Sequence, residues 1–134
     1  MSRKSEASIE FMIFLGLLLV FFVFFIGIVG VNNNDIGEST VFASAGNILN
    51  TVANEINTAS RIQGYYREFF IPERLSDGET YNITYDTNLR IVEIEWDRGR
   101  NVIENIITNN VTGNVSAGYN RIENLDGRVS ISAG

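Results

Sequence analysis

The stretch Phe11–Val31, FMIFLGLLLVFFVFFIGIVGV, decides how the rest of the chain is read. Its 21 residues contain no charged or polar side chain, and seventeen of them are Phe, Ile, Leu or Val. As a helix rising about 1.5 Å per residue it spans roughly 31 Å, close to the hydrocarbon thickness of a bilayer. On an insertion scale of roughly −0.3 to −0.6 kcal/mol each, those seventeen side chains favour the membrane by about 5–10 kcal/mol. A domain of this size has no core large enough to surround such a helix on all sides. Either lipid covers it, or other copies of the same helix do.

The flanks set an orientation. Arg3 and Lys4 precede the apolar block, and no basic residue follows it until Arg61. The positive-inside rule then places the N-terminus in the cytoplasm and everything after Val31 outside. A removable secretory signal fits poorly. The apolar core of such a signal runs about 7–15 residues and ends at a small-x-small site, whereas this run is longer and ends in Val29-Gly30-Val31-Asn32.

Composition narrows the chemistry. The chain of 134 residues has neither cysteine nor histidine, which removes disulfide scaffolds, Cys/His zinc sites, Ser-His-Asp triads and cysteine nucleophiles. The formal net charge is −6, and Lys4 is the sole lysine. A nucleic-acid partner would need a basic footprint that this sequence lacks. No cofactor motif is present, and no glycine-rich phosphate loop. Glu93, Glu95 and Asp97 alternate along one stretch, so as a strand they share a face. They are read as the solvated side of a strand whose other side is Val92, Ile94 and Trp96, not as a calcium site or an acid/base pair.

Beyond the block, Asn32-Asn33-Asn34-Asp35 forms a polar break, with a bend or frayed turn expected near Asn32–Gly37. Helical spacing resumes at Ile36, Val41, Phe42, Ala45, Ile48, Leu49, Val52, Ile56, Ala59 and Ile62, which predicts an amphipathic helix over 35–63. From Tyr65 the period becomes two. Strands are expected over Glu68–Ile71, Thr80–Tyr85, Asn88–Trp96, Val102–Thr108, Tyr119–Leu125 and Arg128–Ile131. Turn signals stand at Asp77-Gly78, Asp97-Arg98-Gly99 and Asp126-Gly127. The fold class is therefore α+β: a long hydrophobic N-terminal helix over 6–63, then a small antiparallel sheet or sandwich over 65–134 that leans on it.

The first residues, Arg3-Lys4-Ser5-Glu6-Ala7-Ser8-Ile9-Glu10-Phe11, resemble the N-terminus of archaeal type IV pilin-like proteins. That family has a short basic leader, a Gln/Glu-x-Ser-x-Glu-Phe/Tyr signature and a long apolar helix. Ser8, Glu10 and Phe11 match the signature, while Glu6 stands where glutamine is usual and Ser5 where glycine is usual. The resemblance implies a leader of residues 1–5 cut between Ser5 and Glu6, to within a residue or so, by a prepilin-type leader peptidase. Glu10 becomes the fifth residue of the mature chain. It also implies that Glu10 meets the new α-amine at Glu6 of a neighbouring subunit, which would fix one register as a buried polar group does in a coiled coil. The helix-then-sheet order is the pilin architecture, and the late Gly-Tyr-x-x-Ile…Asp-Gly-x-Val hairpin resembles archaeal surface pilins as well. The implied partners are copies of the chain itself, the leader peptidase, and an assembly ATPase with its membrane platform. The leader signature is closer to adhesive pilins than to archaellar filament subunits, which implies adhesion.

Phe11, Phe14, Phe21, Phe22, Phe24 and Phe25 point nearly all round a helix. They serve either as lipid-facing bulk or as ring-to-ring contacts between helices, each such pair contributing about 0.5–1.5 kcal/mol beyond its area. Three acceptor sequons, Asn82-Ile83-Thr84, Asn110-Val111-Thr112 and Asn114-Val115-Ser116, fall in the segment expected outside. The sequence thus reads as the subunit of an extracellular filament, a membrane protein before assembly. The second reading is a single-pass anchored surface domain that binds a ligand or partner without polymerising. An anchored enzyme using Glu93 and Glu95 ranks below both.

Overall fold

The computed structural model describes residues 3–134, and of their side chains those of 7–28 and 37–134. Helix α1 runs over Arg3–Arg61, followed by seven strands: β1 (Tyr66–Ile71), β2 (Tyr81–Asp86), β3 (Ile91–Trp96), β4 (Arg100–Asn105), β5 (Val111–Gly113), β6 (Gly118–Leu125) and β7 (Arg128–Ala133). The chain divides into two compact units, Met1–Glu38 and Ser39–Gly134. The backbone is helical through 32–37, where a bend or frayed turn was expected; the side chains of 29–36 lie outside the described residues.

In the second unit the helical segment from Ser39 supplies one wall of a core. Val41, Ala45, Ile48, Leu49, Val52, Ala53, Ile56 and Ala59 are buried, at the three- and four-residue spacing that keeps them on one face. Two sheets complete the core. One has the order β1-β6-β7-β5, the other β2-β3-β4. Phe69, Ile71, Ile122, Val129, Ile131 and Val111 come from the first sheet, and Ile83, Val92, Ile94 and Trp96 from the second. The register explains the clustering. Ile83 faces Ile94 across β2–β3, and Ile122 faces Ile131 across β6–β7, so alternate residues of neighbouring strands reach the same side.

The turns follow local chemistry. Asp126 and Gly127 both adopt positive φ (53° and 83°), as the tight β6–β7 hairpin demands. The backbone N–H groups of Asn88 and Leu89 donate to the Asp86 carboxylate, so the chain turns over residues that the alternating pattern assigns to β3. β3 accordingly starts at Ile91 and not at Asn88. A seventh strand, β5, lies where a loop was expected. It pairs in parallel with β7, so the first sheet is mixed, the other pairings being antiparallel. Gly113 makes that pairing possible. Its φ is +94°, and a Cβ there would stand 1.8 Å from the carbonyl oxygen of Ile131.

Two buried asparagines tie these parts together. The Asn124 amide donates to the Ala59 carbonyl at 2.7 Å, satisfying one acceptor at the helix C-terminus. Its carbonyl oxygen accepts the Gly127 N–H at 3.0 Å, and its backbone exchanges bonds with Gly64 and Tyr65. Asn120, fully buried, donates to the carbonyls of Ser116 (2.7 Å) and Gly118 (3.2 Å) and accepts the Ser116 N–H at 2.9 Å. Both are buried polar groups whose bonding capacity is used.

Candidate functional site: an exposed apolar helix

The first unit presents the chemistry that sets this chain apart. Ala7–Ile28 is 22 residues long, has a mean hydropathy of 3.1, and is 0% buried. Its large apolar side chains range from 45% exposed at Leu15 to 68% at Phe21. Phe11, Phe14, Phe21, Phe22, Phe24 and Phe25 are all among them, on every side of the helix. Water does not solvate a continuous surface of this kind, and a patch so much larger than those on ordinary soluble monomers marks a membrane or protein contact. Gly16 and Gly27 add no bulk, and a Cβ at either would meet nothing within 4 Å.

Glu10 stands exposed at the start of the apolar run. It lies one residue from Ile9 and Phe11, both exposed. The side chains of Ser5 and Glu6, the expected processing site, lie outside the described residues; the backbone there is helical.

The carboxylates of β3 behave as a solvated strand face. Val92, Ile94 and Trp96 are buried, whereas Glu93 is half-buried and Glu95 exposed. Asn101 donates its side-chain amide to the Glu93 carboxylate. Asp97 departs from the expectation that it shares their strand face. It lies past the end of β3 with φ of 31°, in the turn that reverses the chain into β4, and stands 3.9 Å from Arg100. Among the described residues, no group of three or more acidic side chains is placed to hold a metal ion.

The tyrosines split by face. Tyr65, Tyr81 and Tyr85 pack against the core, and burial pushes the phenols of Tyr81 and Tyr85 above their usual range. The Tyr85 hydroxyl donates to the Gly113 carbonyl and the Tyr81 hydroxyl to that of Pro72, each joining one sheet's strand to the chain around the other. Tyr66 and Tyr119 lie exposed on the outer face of β1 and β6. There Tyr119 meets Phe70 edge-to-face at 5.2 Å, and Arg121 lies over the Tyr66 ring while pairing with Glu68 at 3.3 Å. That bond to Glu68 raises the Arg121 guanidinium pKa.

Glu55 is a buried charge that the helical stripe gave no reason to single out. It accepts from the Tyr65 hydroxyl at 2.9 Å and pairs with Arg67 at 3.0 Å, fastening the helix to β1. The sequence signal is a lone acid inside an apolar stripe ten residues before the Tyr65-Tyr66-Arg67 strand start.

The sequons occupy three different settings. Asn82 is exposed on β2, in register with Glu95. Asn110 precedes β5, and its side-chain amide donates to the Gly127 carbonyl at 3.1 Å. Asn114 is exposed in the loop between β5 and β6.

Compared with protein-family models, curated proteins and solved structures, the chain matches none. What it does have is a long exposed apolar helix followed by a β-sheet domain, an order consistent with pilin-like architecture.

Proposed function

We propose that this protein is the structural subunit of an extracellular, archaeal type IV-like pilus that serves adhesion. The observation that carries the reading is the apolar surface of Ala7–Ile28, exposed on every side, in a chain whose other unit closes a core of its own. Such a helix needs a cover. In the membrane the cover is lipid; in the filament it is the helices of neighbouring subunits. The mechanism is packing: cleaved subunits leave the bilayer and exchange lipid contacts for contacts with one another, while the sheet domain meets water and surfaces.

Leader removal between Ser5 and Glu6 by a prepilin-type peptidase converts the anchored precursor, its N-terminus in the cytoplasm, into the assembling form. An assembly ATPase and its membrane platform extract it. Glu10 acts at assembly. Among Phe and Leu its carboxylate would be costly if unpaired, by several kcal/mol in order of magnitude, and the new α-amine of a neighbour offsets that cost. Glu10→Ala should abolish filaments while leaving the subunit in the membrane fraction. Unimpaired filaments from that variant would refute the role of Glu10.

The same helix length suits a second reading, a single-pass anchored surface domain that never polymerises. An anchor needs no processing, so an uncleaved N-terminus separates the two.

A further inference from the structure

The three sequons are equivalent in sequence and unequal in the fold. N-linked modification requires a side-chain amide nitrogen that is free to react and has open space for a bulky sugar. At Asn110 that nitrogen is committed. It donates to Gly127, the second residue of the β6–β7 turn, while the Asn110 carbonyl accepts the Val129 N–H at 2.9 Å and the Asn110 N–H donates to the Thr108 hydroxyl at 3.1 Å. The hydroxyl of its sequon partner Thr112 donates to the Val129 carbonyl at 3.4 Å. Asn110 is a staple between the start of β5 and the hairpin.

At Asn82 the sequon lies flat in a paired strand. Asn82 is opposite Glu95 and Thr84 opposite Glu93. Two carboxylates against the acceptor repel a phosphate-activated sugar donor.

Asn114 differs at the acceptor itself: among the described residues it has no counterpart of the bond from the Asn110 amide to Gly127 and lies off the strand pairing that holds Asn82, while its sequon partner Ser116, like Thr112, has its hydroxyl engaged, donating to Asn120 Oδ1 at 3.5 Å. It follows Gly113, lies outside the strands and is exposed. The loop that carries it is anchored on either side of the acceptor. Val115 is buried, and Asn120 grips the Ser116 N–H and carbonyl, so the loop is held while Asn114 faces solvent. We propose that Asn114 is the acceptor of an N-linked glycan and that Asn110 and Asn82 stay bare.

The inference rests on the outward orientation given under Proposed function. The step is a glycosyl transfer. Asn114 Nδ2 attacks the anomeric carbon of a lipid-linked glycosyl phosphate donor; the new C–N bond replaces the anomeric C–O bond. The phosphate leaves with the bonding electron pair, and a base of the transferase takes the amide proton.

The test is mass spectrometry of the full-length protein from its native cells, alongside proteolysis of intact cells. Trypsin yields Leu75–Arg90 with Asn82, and Asn101–Arg121 with both other sequons, so electron-transfer fragmentation must place the sugar within the second peptide. The expected result is sugar on Asn114 alone. Asn114→Gln should remove the added mass and leave the melting temperature unchanged. Asn110→Gln should keep the added mass and lower the melting temperature. Sugar on Asn110 or Asn82 overturns the assignment, as does a bare Asn114 in protein whose C-terminal unit the protease reaches. If the protease does not reach that unit on intact cells, the outward orientation itself fails and the assignment falls with it.

Discussion

Two stretches of the same helix use apolar residues in opposite ways. Over Ala7–Ile28 the apolar side chains cover every face and all are exposed. Over Val41–Ala59 they form one stripe, buried at 0–6% exposure against the two sheets except at Phe42, which is 39% exposed with its ring edge-to-face on Trp96. The difference is one of pattern. A stripe at three- and four-residue spacing can be closed by a small domain on one side, leaving Asn47, Asn50, Thr51, Asn54 and Thr58 to the solvent. A helix that is apolar all round cannot be closed by its own chain at this size, so its cover has to come from outside the chain, and the proposed function assigns that cover to lipid and then to other copies.

The largest expected effect breaks the first region. Replacing Leu19 and Val20 together by arginine places two charges at the centre of the apolar run. It should cost about 6 kcal/mol of membrane insertion on a translocon scale. The variant should leave the membrane fraction, as read by cell fractionation; retention there would show that lipid does not cover this segment.

Next comes the close approach of β5 to β7 in the unit that covers the second stretch. Gly113→Ala combines a side chain in left-handed backbone with a Cβ driven into the Ile131 carbonyl. It should destabilise the C-terminal unit by about 4 kcal/mol, measured by denaturant unfolding. The comparison is sharpest with one residue type in both places. Leu49→Ala removes a fully buried side chain and should cost about 2–5 kcal/mol. Leu18→Ala, at 52% exposure, should leave that unfolding transition where it was. Equal effects would mean that the apolar helix shares the domain's core.

Asn124→Ala should cost about 1–3 kcal/mol, because the Ala59 carbonyl and the Gly127 N–H would each lose their partner. The smallest effect is alkaline. Tyr81 and Tyr85 have folded-state phenols held above the ordinary value of 10.0 by burial. Their neutral forms therefore favour the fold fully below that value, and the contribution is lost as pH rises through the raised folded values. Thermal melts from pH 9 to 12 on Tyr81→Phe with Tyr85→Phe should show a shallower alkaline decline than the parent.

The sequence made some of this legible and not the rest, for physical reasons. The apolar block and the stripe are composition and period, which are local properties. The Asp126-Gly127 hairpin is a two-residue signal with one backbone solution. β5 is not legible, because three residues carry no alternation and its partner β7 lies beyond β6 in the chain. The alternation continues through Asp97 and places it on the face of Glu93 and Glu95, yet the turn it begins takes it off the strand. The pairing of Glu55 is not legible, since its partners Tyr65 and Arg67 lie beyond the helix end. The sequons are explicit in the sequence, but nothing in Asn-x-Ser/Thr says that Gly127 will occupy the amide of Asn110. Of the proposed assembly residues, Glu10 and the six phenylalanines are legible as composition, and the structure adds that they are exposed.

The central claim is that the apolar helix exchanges lipid for copies of itself after processing. It is tested most directly by shearing native cells and reading the N-terminus of this protein in the released high-molecular-weight material by mass spectrometry. The account predicts a chain that begins at Glu6, within a residue or so, in filaments. An intact leader on protein confined to the membrane fraction would contradict it.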